Sequence, residues 1–399
     1  MLNRSSRRKF LKTSATTAAA ASGLATAAPA PLSSDAAIYT RLGVRPLING
    51  VGVVTHLGGS LMPREVVDAM EQASRHFVSL TELQKKVGAR IAELLGAQAA
   101  MVTCGCASAI TMGTAACVAM GDQEKLRRLP DTTGMKNEIV QQKTHRGGYE
   151  QQMLLVGTKI IWVETREELE RAINDRTAMM FFYNEMEPEG QIKRDEWIRV
   201  GKKRGVPTFN DAASDTPPVE RLSQYIREGF DLVAFSGGKA LRGPQCSGLL
   251  MGRKDLIDAA IPAISPYASI GRGMKVGKEE MVGLLAAVER YLKVDHDAEF
   301  KELDSRVRYM IETLSKIPGL TADRHVPPIA NCIPHLRLTW TEDAFRFGAG
   351  KVVRDLMQGE PPIAISQRGE RLLHVSPWMM RPGEHEIVTK RLRDVFTAA

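Results

Sequence analysis

Cysteine is scarce in this chain of 399 residues. Its five cysteines are Cys104, Cys106, Cys117, Cys246 and Cys332, an odd number that leaves at least one thiol free unless chains cross-link. Cys104 and Cys106 stand too close in sequence for a relaxed disulfide, and no His or Cys cluster with zinc spacing accompanies them. Small, buried thiols are the expectation, and no metal site is expected. Long apolar runs are also missing: nothing after the N-terminus approaches the roughly 18 residues that a membrane span requires, so no stable membrane anchor is expected. A phosphate-binding P-loop is absent, which makes a nucleoside triphosphate a poor fit. No internal repeat occurs, and no low-complexity segment lies outside the first residues.

Charge excludes a further class. The formal net charge is +8, but Arg4, Arg7, Arg8, Lys9 and Lys12 lie within Met1–Ala27 with no acid among them, which leaves +3 for the remainder. That balance carries no nucleic-acid footprint. The opening segment, Ser6-Arg7-Arg8-Lys9-Phe10-Leu11-Lys12, is followed by a mild Ala- and Thr-rich stretch and by Ala25-Thr26-Ala27. It resembles a twin-arginine export signal with an A-x-A cleavage site. Residues 1–27 are therefore expected to be removed by the twin-arginine export machinery, and the mature protein to be periplasmic or secreted.

What remains reads as α/β. An arm at 28–60 contains the apolar, Gly-interrupted run Leu47–Val54. Pro63 then opens an amphipathic helix, and a second covers Leu83–Leu95. Short apolar strands are predicted at 99–103, 139–142, 159–163, 178–183, 207–210, 232–236 and 247–251, with helices at 108–118, 166–173 and 194–204. That alternation argues for a mainly parallel sheet in a large domain at 61–290. After about Lys275 the rhythm changes to long helices at 279–292 and 299–317, strands at 334–340 and 372–375, and a last helix at 384–396. These predict a smaller α+β domain at 291–399.

Three loops carry the chemistry. Ser236-Gly237-Gly238-Lys239 follows the apolar strand 232–235, so Lys239 sits beyond a strand's C-terminal end, where open α/β sheets bind ligands. Partial burial there favours a nucleophilic amine, and Ser236 can turn its hydroxyl to the same anion. Thr103-Cys104-Gly105-Cys106-Ala107-Ser108 joins a strand to a helix of small residues, and free N–H groups at such a helix start cradle a phosphate. Asp211 ends another apolar strand, where a carboxylate can hold a pyridine nitrogen protonated. Taken singly, each has a plain structural explanation: a solvated turn lysine, a tight strand–helix connection, an N-cap aspartate. Their order along the chain is more specific than any one of them.

With INGVGVVTHLGGS, THRGGYE, NDAASD, SGGKALRGPQ and GRGMKVGKEE, these loops make the chain resemble the fold-type-I pyridoxal-phosphate enzymes. The group includes selenocysteine synthase and D-glucosaminate-6-phosphate ammonia-lyase, and the resemblance runs from Ile48 to the C-terminus. It implies a pyridoxal 5'-phosphate cofactor held as a Schiff base on Lys239, Asp211 on the pyridine nitrogen, and Ala213 under the ring. It places Gly105, Cys106 and Ser236 at the phosphate, His145 stacked on the ring, and Asn184 at the phenolic oxygen. Arg272, Lys275 and Arg368 become candidate anchors for an anionic substrate, though His145 could equally be structural and Arg272 and Lys275 a solvated basic turn. The expected reaction is α,β-elimination on a small anionic amino acid or amino-sugar acid, by a homodimer or larger homo-oligomer. Alternatives are transamination, selenium transfer, aldol cleavage, or a non-catalytic exported binding protein on the same fold. Only about twenty residues separate the signal from the first matching segment, so a tRNA partner is not expected.

Overall fold

The computed structural model describes residues 36–398, so the twin-arginine segment and its cleavage site lie outside the described residues. The chain divides into one unit up to Pro46, whose described part holds the helix Ala37–Arg41, and a second from Leu47 onward that holds everything below.

Among the described residues of the second unit, twelve strands form two sheets. In chain order they are β1 (Ile48–Gly50), β2 (Ala99–Thr103), β3 (Glu138–Gln142), β4 (Lys159–Val163), β5 (Thr177–Tyr183) and β6 (Thr208–Asp211). β7 (Leu232–Ser236), β8 (Gly248–Gly252), β9 (Leu320–His325), β10 (His335–Trp340), β11 (Ile363–Gly369) and β12 (Leu372–Val375) complete the set. The larger sheet has the order β2-β8-β7-β6-β5-β3-β4. Its pairs β3–β4, β3–β5, β5–β6 and β6–β7 are parallel, whereas β8 runs antiparallel to both β7 and β2. Strands covered on both faces become continuous apolar runs: Met179, Met180, Phe182, Val233 and Ala234 are all buried. The mainly parallel α/β sheet read from the sequence is therefore the one that forms.

The helix Gly105–Ala119 is the centre of this layer. Buried on nearly every face, it has the even hydrophobicity of a core helix rather than an amphipathic stripe. It starts three residues earlier than its apolar pattern predicts. Gly105, at φ +80°, lets the chain reverse straight out of β2. A Cβ on Gly248 of β8 would meet the Gly105 carbonyl carbon at 2.3 Å, so glycine there lets the sheet approach the turn.

The smaller sheet has the order β1-β11-β12-β10-β9. The long helix His296–Leu314 and the last helix Glu384–Thr397 bury Val307, Met310, Leu314, Val388 and Leu392 in its separate core. Three elements here were not predicted: β9, β11 and the helix Ala349–Gln358. Ile48–Gly50, within the expected arm, pairs parallel to Ile363–Ile365 as the edge strand β1. The opposite face of this sheet is polar: Leu336 and Leu338 point into the core, and His335 and Arg337 alternate with them.

Candidate active site

The carboxyl ends of the parallel strands converge. Register places Tyr183 beside Asp211, Asp211 beside Ala234, and both Ser236 and Thr103 beside Gly248. Lys239, Asp211, Ser236, Ala213 and the start of the 105–119 helix thus share one end of the sheet.

Asp211 is 2% exposed. Its Oδ1 accepts from the Ala213 N–H at 3.1 Å and from the Cys106 thiol at 3.5 Å. Burial raises its pKa against the opposing pull of the Lys239 ammonium. Cys106, expected at a phosphate, sends its side chain to Asp211, and burial followed by that carboxylate pushes the thiol far up. Lys239, half-buried, donates to Ser214 Oγ. The Ser236 N–H donates to the Ala213 carbonyl at 3.3 Å, which ties the two predicted cofactor loops together.

Behind them lies a second carboxylate. Asp215 Oδ2 accepts from Asn184 Nδ2 and, at 2.8 Å, from the Tyr225 hydroxyl. Burial raises its pKa to about 7. Asn184 is fully enclosed, its amide engaged by Asp215 and by Tyr225 at 3.0 Å. His145 is also fully buried, edge-on to Phe182, and its Nδ1 accepts from the Tyr183 N–H at 3.3 Å. Burial lowers its pKa to about 4, so it is a neutral imidazole. Tyr149, part of the predicted THRGGYE segment but assigned no role there, is raised by burial and then by the Asp211 carboxylate.

Arg272 and Lys275 lie exposed on the loop at 264–277. Arg272 donates to Ser265 Oγ at 3.2 Å, and neither cation is hydrogen-bonded to Asp211, Lys239 or Arg368. Arg368 instead lines a cavity of about 310 Å³, together with Glu185, Asn331, His325, His335 and His374. Lys239 and Asp211 do not line it, but its wall reaches them: the Asn331 N–H donates to the Ser214 carbonyl at 2.9 Å, and Ser214 Oγ receives Lys239. Ser214, Asn331 and the histidines escape a reading of sequence loops, since only the folded chain assembles them.

These donors suit pyridoxal phosphate. The helix start offers unpaired N–H groups and a positive dipole end to a phosphate. In its first turns Ser108 Oγ is buried with no partner among the described residues, a group that a phosphate oxygen would satisfy. Asp211 uses Oδ1 for both of its hydrogen bonds and keeps Oδ2 for a ring nitrogen. Lys239 supplies the amine for covalent attachment. The parallel sheet, the smaller α+β layer and this set of groups define a fold-type-I pyridoxal-phosphate enzyme.

Comparison with known proteins agrees. The family model described as SelA, L-seryl-tRNA selenium transferase, matches residues 156–317. D-Glucosaminate-6-phosphate ammonia lyase of Salmonella typhimurium is 31% identical over 373 residues, covering 90% of this chain and 97% of that one. A 5'-C-glycyluridine monooxygenase-decarboxylase of a Streptomyces species is 32% identical over 374 residues, covering 90% and 92%. A solved structure of D-glucosaminate-6-phosphate ammonia-lyase superposes with a TM-score of 0.79 at 29% identity, covering 91% of this chain and 98% of that one. The chain belongs to the pyridoxal-phosphate-dependent family of lyases and transferases that holds D-glucosaminate-6-phosphate ammonia lyase and the selenocysteine synthases. Its cofactor is pyridoxal 5'-phosphate.

Proposed function

We propose that the protein catalyses α,β-elimination on a small anionic amino acid or amino-sugar acid. The observation that carries the reading is the juxtaposition of Lys239, Ser214 and Asp211 with a cavity that holds Arg368. The ammonia lyase at 31% identity supports the reaction class, whereas the monooxygenase-decarboxylase at 32% shows that this family also hosts other chemistry.

Pyridoxal phosphate, when bound, supplies an electron sink for the bonds that break at the substrate's α-carbon. Asp211 holds a proton at the ring nitrogen. Lys239 Nζ would anchor the cofactor and is the amine placed to accept the substrate's α-proton; Ser214 Oγ fixes where that nitrogen points. Arg368 takes the substrate carboxylate by paired N–H donors. The half-buried setting of Lys239 limits water at the nitrogen that moves the proton.

The protein is further proposed to be exported through its Arg7-Arg8 signal and to act as a homo-oligomer. Among the described residues no helix is long and apolar enough to cross a membrane. The reading is tested by incubating purified holoprotein with amino acids and amino-sugar acids while following keto-acid and ammonia release. Ammonia with stoichiometric keto acid supports elimination. Keto acid formed only when an acceptor keto acid is added would make the protein a transaminase.

A further inference from the structure

The polar face of the small sheet gathers three histidines that the sequence scatters. His335 of β10 pairs with His325 of β9, and His374 of β12 pairs with Arg337 of β10. The rings of His325 and His374 stand 5.1 Å apart. All three line the cavity with Arg368, Asn331 and Glu185.

Their charge states follow from where they sit. Burial lowers His335 to about 4. Burial, reinforced by His325 and Arg368, does the same to His374, and burial followed by Arg337 lowers His325. At neutral pH the three are uncharged imidazoles. Arg337 is neutralised by Asp323 at 2.8 Å and stands outside the cavity. Among the described residues that line the cavity, Arg368 is thus the one fixed cation. Glu185 adds a negative charge to the wall, where the Tyr183 hydroxyl donates to it at 2.8 Å.

Hydrogen-bond polarity narrows the ligand further. His335 Nδ1 lies 2.8 Å from the Ile333 carbonyl. A carbonyl only accepts, so Nδ1 carries the proton and Nε2 presents a lone pair. A hydroxyl can donate to that lone pair, and an ionised phosphate oxygen cannot. Neutral imidazoles and an amide, each able to give and to accept, match a chain of hydroxyls.

We propose that this cavity selects an unphosphorylated, polyhydroxylated amino acid, with its carboxylate on Arg368 and its hydroxyls on the three imidazoles and Asn331. The inference rests on the elimination reading above and deepens it. With Arg368 engaged by the carboxylate, a doubly charged phosphate would find no second fixed cation among the described residues that line the cavity and would face Glu185, a burial of charge that those residues do not offset.

The test compares D-glucosaminate, D-glucosaminate 6-phosphate and serine on the holoprotein. It measures kcat/KM for keto-acid release and, separately, Kd from the change each compound makes in the cofactor's visible band. D-Glucosaminate is expected to exceed its 6-phosphate by about 10-fold or more in both, on the scale at which unmatched polar groups are rejected. His374→Phe is expected to reduce the preference for D-glucosaminate over serine by about 10-fold, and His374→Asn to restore part of it. Equal or better use of the 6-phosphate would overturn the inference while leaving elimination standing, as would an unchanged preference in a folded His374→Phe protein. Failure of every amino acid to perturb the band or release keto acid would overturn the elimination reading itself.

Discussion

The Cys106 thiol donates to Asp211 Oδ1 across 3.5 Å, from the first turn of the buried helix to the end of β6. With the Ala213 N–H on the same oxygen, it turns the carboxylate so that Oδ2 is left for the cofactor ring. Cys106→Ala removes that donor and should cost about 1 kcal/mol of stability, the usual net value of one hydrogen bond. Cofactor should still load, and Cys106→Ser should restore the loss. Thermal melting of the three proteins beside their visible spectra checks this.

Lys239 should be the single site of cofactor attachment. Borohydride reduction of the holoprotein should fix the cofactor on the peptide that contains Lys239, and Lys239→Ala should abolish the visible band and turnover together. Label recovered on another lysine would refute the assignment.

His335 gives a pH signature. Its folded pKa of about 4 lies below the unfolded value of 6.5 because burial penalises the charged ring. The unfolded chain therefore binds this proton first, so the stability that His335 contributes is complete above 6.5 and is lost as pH falls through 4. His335→Asn should make the melting temperature fall less steeply between pH 6.5 and 4, measured against the parent in the same buffers. Parallel slopes would show that burial does not depress the titration of this ring.

Export is testable independently. Arg7 and Arg8 lie outside the described residues, and the proposal rests on SRRKFLK and the A-x-A site. Replacing both by Lys should leave full-length precursor in the cytoplasm, whereas normal processing of the double variant would remove the twin-arginine reading.

How much of this was legible in sequence varies by layer. The large sheet was readable because strands covered on both faces, such as Leu232–Phe235, become unbroken apolar runs that end in small or catalytic residues. β9 and β11 were not, because polar residues interrupt each strand. Asp323, His325, Ser366 and Arg368 face away from the core, and their alternation is masked by Arg324 and Gln367. The Ala349–Gln358 helix buries Ala349, Val352 and Leu356 at helical spacing, but Gly350, Lys351, Arg354 and Asp355 stand between those positions and break up the stripe. At the site, Lys239, Asp211 and the Gly105 turn each follow a strand and could be found one loop at a time. Ser214 and Asn331 could not, since their link depends on β10 and its preceding loop folding back onto the larger sheet's end.

The role of Asp211 can be separated from a structural one. A carboxylate against a ring nitrogen raises that nitrogen's pKa by charge attraction, so the ring withdraws electrons most strongly when Asp211 is ionised. Asp211 is 2% exposed, which disfavours its charge, and Lys239 nearby pulls the other way. Asp211→Asn keeps the size and an acceptor for Ala213 and Cys106, but it removes the charge. Such a protein should melt near the parent temperature and retain Lys239-linked cofactor, yet lose on the order of 10²-fold or more in turnover per bound cofactor, the scale for deleting one preorganised electrostatic partner. If Asp211 served only to hold the loop at 211–215, the pattern would invert: melting would fall, and the surviving folded fraction would turn over at nearly the parent rate. Both quantities measured on one preparation separate the cases, and parental turnover in a well-folded Asp211→Asn protein would remove Asp211 from the mechanism.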